Sequence, residues 1–365
     1  MSSSLVKSYR ELFLDNVPLI DLRAPIEFSQ GAFPSAVNLP LMTDQERAEV
    51  GTCYKNQGRT QALALGHQLV SGTVKNQRVQ TWKSFVNNAN KPVTLYCFRG
   101  GLRSRISQQW LKDVGVEIAV VEGGYKALRR FLIEETARIV TQNKLFLLTG
   151  NTGSGKTKLL NQHSFSIDLE GIAHHRGSSF GSRLTEQPTQ IDFENQLAVA
   201  LLKHESRAEE YLLLEDEGRL IGARSIPLLV KQQMDQADLI LIEESLAFRV
   251  EQIYQDYVVA LSQEFELYYP NNGLRRYQEF LLQGCQKIAK RLGGVNSKKV
   301  TQLIQQAIQR QKNGSALELH QDWIHFLLKN YYDPMYRYQI AKKQSRVVFR
   351  GNSVEIGRYL SQLTG

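Results

Sequence analysis

The sequence predicts an α/β protein in which two parallel-sheet domains follow one another and a helical, basic extension closes the chain. Three observations carry this. Short apolar runs alternate with helix-length segments over the first 140 or so residues. A second alternation begins at Lys144 with a glycine-rich turn behind its first apolar run, and beyond Leu246 long stretches rich in Gln, Leu, Tyr and Lys have helical spacing. At 365 residues the chain also exceeds what one core ordinarily organises.

In the first domain, residues 1–140, "VPLIDLR" (17–23), "PVTLYCF" (92–98) and "IAVVEGG" (118–124) are each long enough for a buried strand and are bounded by turn residues. Helical patterns such as Ser104–Val114 separate them, as crossovers in a parallel sheet must. "TARIVTQNK" (136–144) reads as the link to the second domain, residues 141–250. There "KLFLLTG" (144–150), "SFSIDLEG" (164–171), "YLLLEDEGR" (211–219) and "ADLILIEES" (237–245) supply four candidate strands. The extension, residues 251–365, reads as helices broken at "YYPNNG" and "RLGGVNS". A last strand candidate, "RVVFRGN" (346–352), precedes a closing helix. No internal repeat or low-complexity tract is visible.

Hydrophobic residues make up 42% and charged residues 22%, the balance of a soluble globular chain. Lys and Arg total 45 against 36 Asp and Glu, and this net +9 favours a polyanionic partner. No basic amphipathic anchor stands out, so nucleic acid is expected rather than membrane. Cys53, Cys97 and Cys285 are few, far apart and odd in number, which argues for a reducing compartment and against a disulfide framework. No Cys–His spacing suits zinc, and the adjacent His174 and His175 are poorly placed to chelate one ion, so no metal-ligand set is read. The N-terminal stretch lacks the apolar core of a signal peptide, and no run approaches the roughly 20 apolar residues of a membrane span. A cytoplasmic protein is expected.

"GNTGSGKT" (150–157) has the two glycines, lysine and threonine of a phosphate loop, between a strand and a helix as that motif requires. Gly150, Gly153 and Gly155 let the backbone turn its N–H groups inward around phosphate oxygens, with Ser154 among them. Lys156 adds a mobile charge, and Thr157 offers a hydroxyl to a magnesium ion. A carboxylate to orient that ion should end a neighbouring strand. Glu215 and Asp216 qualify, as do Glu243 and Glu244, and Asp216 is preferred. Arg249, just past the fourth strand, either reaches phosphate or decorates a helix surface.

"YCFRGGLRS" (96–104) places Cys97 at the end of a strand and at the head of a turn with Gly100, Gly101, Arg99, Arg103 and Arg105. Such a turn wraps N–H groups around the sulfur, and the following helix dipole and the arginines favour an anion on or near it. A persulfide, a perselenide or a phosphoryl group would all suit. "DLRAPIEFSQGAFPSAVNLP" (21–40), this loop and "VEGGY" together resemble the rhodanese family. Its signature is an aspartate–x–arginine strand end, a glutamate four residues later and a small-residue turn. Ala32 stands where many rhodaneses have histidine. Five residues separate Cys97 from Arg103, where many sulfur-transferring rhodaneses have four. The longer spacing is that of cysteine phosphatases, some of which share the rhodanese fold. Loop length alone therefore leaves chalcogen transfer and phosphate-ester hydrolysis open, although Tyr96 stands where many cysteine phosphatases have histidine.

The rhodanese-like domain is followed by a P-loop NTPase-like domain. With "VGTCYKNQGRTQALALG" (50–66), "LEGIAHHRGSSFG" (169–181) and "YYDPMYRY" (331–338), the chain from about residue 8 onward resembles the tRNA 2-selenouridine synthase family. The resemblance implies exchange of the sulfur of wobble 2-thiouridine for selenium from selenophosphate. It also implies S-geranylation from geranyl diphosphate as an intermediate step. Implied partners are the tRNAs for lysine, glutamate and glutamine, together with an enzyme that supplies selenophosphate. Cys97 would carry selenium as a selenylsulfide, Arg99 and Arg103 would hold the anion, and Gly100 and Gly101 would give backbone access. Arg176 or one of the histidines beside it would lie near the diphosphate or the base. Cys53 either resolves a selenylsulfide or is a buried thiol, and Cys285 is expected to pack. The phosphate loop has two candidate ligands, geranyl diphosphate or a nucleotide with Mg2+.

A tRNA partner needs a basic surface. Between Gly273 and Lys299, Arg275, Arg276, Lys287, Lys290, Arg291, Lys298 and Lys299 are opposed by Glu279 alone. Lys287 and Arg291 share a helix face, and the tyrosines of "YYDPMYRYQIAKK" could stack on unpaired bases or pack in the core.

Overall fold

The computed structural model describes residues 8–312 and 317–363, so the first seven residues of the stretch read against a signal peptide lie outside the described residues. Among these, ten strands form two four-stranded parallel sheets and a small hairpin. Two compact units result: residues up to Ile139 together with Pro188–Arg207, and Val140–Gln187 together with residues from Ala208 onward.

In the first unit β1 (Leu19–Asp21), β2 (Ala36–Asn38), β3 (Thr94–Tyr96) and β4 (Ala119–Val120) pair in the order β2-β1-β3-β4, all parallel. The strands are short because each apolar run is cut by a turn residue, and β1 and β3 are wholly buried. Three helices, Asp44–Gln57, Arg59–Leu69 and Gly72–Asn88, fill the crossover from β2 to β3. The last buries Trp82, whose indole N–H donates to the Leu39 carbonyl at 3.0 Å. Ile20, Leu22, Leu95, Leu111 and Ile118 complete the core around it.

The aspartate–x–arginine end of β1 is a buried ion pair. The Arg23 guanidinium donates to both Asp21 oxygens and to the Gly31 carbonyl, and lies 3.7 Å from the Tyr125 ring centroid. The Tyr96 hydroxyl donates to Asp21 at 2.7 Å. The pair therefore welds β1, β3 and the turn after β4, and its hydrogen bonds satisfy charges that burial would otherwise penalise. The helix Gln190–Ser206 belongs to this unit. Asp192 accepts the Ala32 N–H at 2.7 Å, and Asn195 donates to the Ala32 carbonyl at 2.7 Å.

In the second unit β5 (Lys144–Gly150), β6 (Tyr211–Glu215), β9 (Asp238–Ile242) and β10 (Val347–Gly351) pair in the order β10-β9-β5-β6, all parallel. The hairpin β7 (Leu220–Ile221) and β8 (Arg224–Ser225) stands apart. The last strand candidate of the sequence is thus the sheet edge beside β9. "SFSIDLEG" does not form a strand: only a bridge from Ser166 to Leu213 remains before the chain turns into the helix Leu169–Ile172. The Asp168 side chain caps that helix by accepting the Gly171 N–H, which ends the extended run. Helices from Leu246 to Lys342 bury a second core that includes Tyr277, Cys285, Ile304 and Trp323. No described helix is long and apolar enough to cross a membrane.

Candidate functional site

Cys97 lies one residue past β3 and is 3% exposed. Its loop is pinned to the "VEGGY" turn, where Tyr125 N–H donates to the Cys97 carbonyl at 2.9 Å and Lys126 N–H to that of Phe98 at 3.1 Å. Two glycines make this approach possible. Gly124 has φ +60°, and a Cβ there would sit 2.2 Å from the Cys97 oxygen; Gly100 has φ +61°, and a Cβ there would sit 2.7 Å from Gly123 N. Around Gly101, by contrast, a Cβ would meet nothing within 4 Å. Gly101 caps the helix Leu102–Asp113 without a side chain, so the first N–H groups of that helix face the loop with no side-chain acceptor from the cap.

Arg99 and Arg105 are exposed, and Arg103 is half-buried. Arg103 donates to Glu27 at 2.8 Å, and Glu27 also accepts the Ala24 N–H and pairs with Arg47. Burial pushes the Glu27 carboxyl up, yet Arg103, the Ala24 N–H and Arg47 together hold it below its ordinary range. The signature glutamate thus anchors the cradle arginine. The buried hydroxyls of Ser104 and Ser107, on the same helix, have no hydrogen-bond partner. Cys53 is buried and its thiol donates to Gln57 at 3.8 Å, while burial pushes the Cys285 thiol up to about 12.

The phosphate loop forms as its sequence requires. Gly153 and Gly155 have φ of +83° and +80°, and a Cβ at Gly153 would sit 2.8 Å from the Arg249 oxygen. Ser154 is buried, and Lys156 Nζ donates to the Gly150 carbonyl at 3.1 Å. Burial opposes the Lys156 charge, but Tyr336 and the glutamates 215, 217 and 170 hold the ammonium above its ordinary range.

Glu215, and not Asp216, is the carboxylate that meets the loop: it accepts the Thr157 hydroxyl at 2.9 Å. Asp216 points the other way, accepting from Thr149 at 2.9 Å and from Lys343 at 2.7 and 2.8 Å. β6 ends at Glu215, and beyond it the chain sends Asp216 to Thr149 and Lys343 while Glu217 comes back beside Glu215. Glu243 and Glu244 lie elsewhere, toward Arg350 and the Ser353 N–H. Arg249 does not decorate a helix surface. It is buried and makes a bidentate pair with Asp333 at 2.7 and 2.8 Å, while Asp333 also accepts from Asn151 at 3.1 Å. The pair braces the loop from behind; nothing in the pattern around Asp333 announces this.

Sequence reasoning also missed Glu170 and Glu217, whose ligand oxygens and that of Glu215 all lie within 4.8 Å of one another. Burial and mutual repulsion push Glu170 up to about 9 and Glu215 up to about 8, and burial raises Glu217 as well. The spacing of 215 and 217 was the available signal; Glu170 had none, because its segment read as a strand.

The "HHRGSSFG" loop lies against this cluster at Gly177, where a Cβ would sit 2.1 Å from a Glu170 oxygen. Arg176 stacks 4.9 Å from the Tyr257 ring centroid and donates to the Asp256 carbonyl at 3.3 Å. His174 contacts Thr185 at 3.2 Å, and His175 is buried, held below its ordinary range by burial, Lys287 and Arg183. Phe180 of this loop rests on the helix Gly273–Leu292, where a Cβ at Gly284 would sit 2.3 Å from its ring. That helix exposes Lys287, Lys290 and Arg291. Of the tyrosines of "YYDPMYRYQIAKK", read as stacking on bases or packing in the core, Tyr331 and Tyr332 are core residues and Tyr338 is exposed beneath Lys342.

Residues 143–364 match the family described as tRNA 2-selenouridine synthase AAA domain, and residues 6–130 match the rhodanese-like domain. A tRNA 2-selenouridine synthase of Pseudomonas putida (strain GB-1) is 52% identical over 96% of this chain and 95% of its own length. The protein of that name from Pseudomonas syringae pv. tomato is 50% identical over 97% of each, and that from Shewanella oneidensis 48% identical over 100% of this chain and 97% of its own.

Proposed function

The chain belongs to the tRNA 2-selenouridine synthase family, and from that premise we propose how its residues divide the work. The protein is a tRNA-modifying transferase that installs selenium at C2 of wobble uridine in place of sulfur. Thione sulfur leaves poorly, so the sulfur first attacks C1 of geranyl diphosphate, and diphosphate departs. The selenium of selenophosphate then adds at C2 and the geranyl thiol leaves, taking up a proton; water attacks phosphorus and breaks the phosphorus–selenium bond, which releases phosphate and leaves the carbon–selenium bond.

In this reading the phosphate loop, Gly150–Thr157 with Lys156, grips the diphosphate of the geranyl donor, while Glu215 orients a Mg2+ ion through its place beside Thr157. The Cys97 loop holds selenophosphate and presents its selenium, with Arg99 and Arg103 balancing the anion and the backbone at Gly100 and Gly101 lying against it. The exposed face of Lys287, Lys290 and Arg291 binds the anticodon arm of the tRNAs for lysine, glutamate and glutamine, and the enzyme works in the cytoplasm. The observation that carries the assignment is the cradle of Cys97, buried to 3% exposure at the end of β3 and closed by two glycines at positive φ.

The test uses 2-thiouridine tRNA, selenophosphate and geranyl diphosphate, with nucleosides identified by mass spectrometry. Cys97→Ala should abolish 2-selenouridine while S-geranyl-2-thiouridine still accumulates. Lys156→Ala should reduce geranylation by about 10²-fold or more, the scale of losing one preorganised charge contact. Loss of geranylation in the Cys97 variant, or its survival in the Lys156 variant, would refute this division.

A further inference from the structure

The transfer assigned to the phosphate loop needs a second substrate close by. Thione sulfur attacks C1 of the donor from about 3–3.5 Å, the near-attack distance, so the nucleoside that carries it must rest against the residues that hold the diphosphate. The loop borders a cavity of about 750 Å³, and Ser154 and Gly155 form part of its wall. That volume suits a ligand of nucleotide size.

Three helices of the second unit complete the wall: Lys156–Leu160 behind the loop, Leu246–Ile253, and Ser353–Leu363. Phe248 of the second and Val354 of the third line the cavity while 40% and 60% exposed. A single exposed apolar side chain needs no explanation, but two in one cavity beside a phosphate loop offer their faces to a planar ligand. The remaining lining is polar. Gln162, Gln252 and Gln362 bring amides, and Lys158 and Arg358 bring positive charge. Lys158 Nζ donates to Gln252 at 3.0 Å and lies 3.8 Å from Asp256. Arg358 is exposed and has no hydrogen bond or ion pair among the described residues.

This chemistry sorts the ligands. An isoprenoid chain has no polar atom to offer three amides and two cations. A nucleotide has a ring face for Phe248, edge donors and acceptors for the amides, and a phosphate for Arg358. Charge also separates this cavity from a smaller one of about 360 Å³ beside Asn151. There Glu243 and Glu244 oppose Arg337 and Arg350, so a phosphodiester meets no net attraction, whereas no carboxylate is among the described lining residues of the larger cavity.

We propose that this cavity is a nucleotide pocket that receives the target uridine of the RNA, turned out of the anticodon loop, with its base on Phe248 and its phosphate at Arg358. An unpaired loop base is the least costly kind to turn out. The inference rests on residues 150–157 gripping the geranyl donor, and it places the sulfur nucleophile beside that grip. A free mononucleotide has the same base, ribose and phosphate, so the test has an arm for each source.

The probe is an anticodon stem–loop carrying pyrrolocytosine, a fluorescent pyrimidine that reports stacking, at the wobble position, titrated into the full chain. Wild type should change its fluorescence on binding. Phe248→Ala should abolish that change, and Arg358→Ala should weaken stem–loop binding about threefold or more. In the geranylation assay with a 2-thiouridine stem–loop, Phe248→Ala should raise KM about fivefold or more, the scale of losing one stacking partner. Its affinity for inorganic pyrophosphate should stay within about twofold. Both side chains are exposed, so the melting temperatures should match wild type. A fluorescence change and a KM that neither substitution alters would overturn the RNA nucleotide as occupant. ATP binding that Phe248→Ala then weakens would assign the pocket to a free nucleotide instead. Stem–loop binding that depends on Phe248 in a protein that does not bind pyrophosphate would leave the pocket standing and overturn the phosphate-loop reading.

Discussion

Gly124 shows how far a single residue's backbone can govern a loop elsewhere in the chain. Its positive φ and its contact with the Cys97 carbonyl leave no room for a side chain. Gly124→Ala should therefore cost about 1–3 kcal/mol of stability, the scale of a strained backbone site, and should lower selenation more than tenfold by displacing the Cys97 loop. Thermal melts and the nucleoside assay would read both. Gly101→Ala is the contrast, because a Cβ there meets nothing and the fold should be unaffected. The glycines of the cysteine turn were legible as glycines; which of them is sterically obligatory was not, since that depends on a turn more than twenty residues away. Glu27 is a similar case. It stood out in the "DLRAPIE" pattern, but its partner Arg103 lies 76 positions further on.

At the scale of elements, three helices of the first unit meet through charge. Arg138 of the helix Gly124–Gln142 binds Glu205 of the helix Gln190–Ser206 at 2.6 and 2.7 Å and Glu135 of its own helix at 2.8 Å. Arg10 of the helix Tyr9–Leu14 also pairs with Glu205 and with Glu135. The hydrogen bond from Arg138 is the largest influence holding Glu205 down to about 2, from an ordinary 4.5, against the opposing effect of burial. A carboxyl with a depressed folded value stabilises the fold fully above its ordinary value and loses that contribution as pH falls toward about 2. The urea midpoint should therefore drop between pH 4.5 and pH 2.5, and Glu205→Gln should flatten that part of the profile while lowering the midpoint at neutral pH. A midpoint profile unchanged by the substitution would show that these pairs are too solvent-screened to matter. None of these three helices is named by the sequence reading, and "TARIVTQNK", read there as a link, instead continues the helix Gly124–Gln142, whose amphipathic face is buried. "SFSIDLEG" marks the limit most clearly: its apolar alternation is strand-like, but the Asp168 cap converts its end into the helix that delivers Glu170.

For the whole molecule, the basic excess of +9 finds an outlet on the helix Gly273–Leu292, whose buried side carries Tyr277, Leu281, Cys285 and Ile288 and whose exposed side carries Lys287, Lys290 and Arg291. Reversing these three charges to glutamate should weaken tRNA binding and flatten its salt dependence by about two to three units of slope, near 0.7–0.9 per lost phosphate contact. Filter binding from low to moderate salt measures it, and an unchanged slope would place the tRNA elsewhere. The sequence by itself determined the two parallel-sheet domains, the glycine-rich turns behind Cys97 and at residues 150–157, and the family, because each is written in contiguous residues whose spacing has a local physical meaning. Only the tertiary structure decided that residues 188–207 return to the first unit, that Glu215 and not Asp216 meets Thr157, and that Asp333 braces Arg249. Those outcomes turn on which face of a strand or helix meets a partner far along the chain, and burial and charge settle them only once the core has formed.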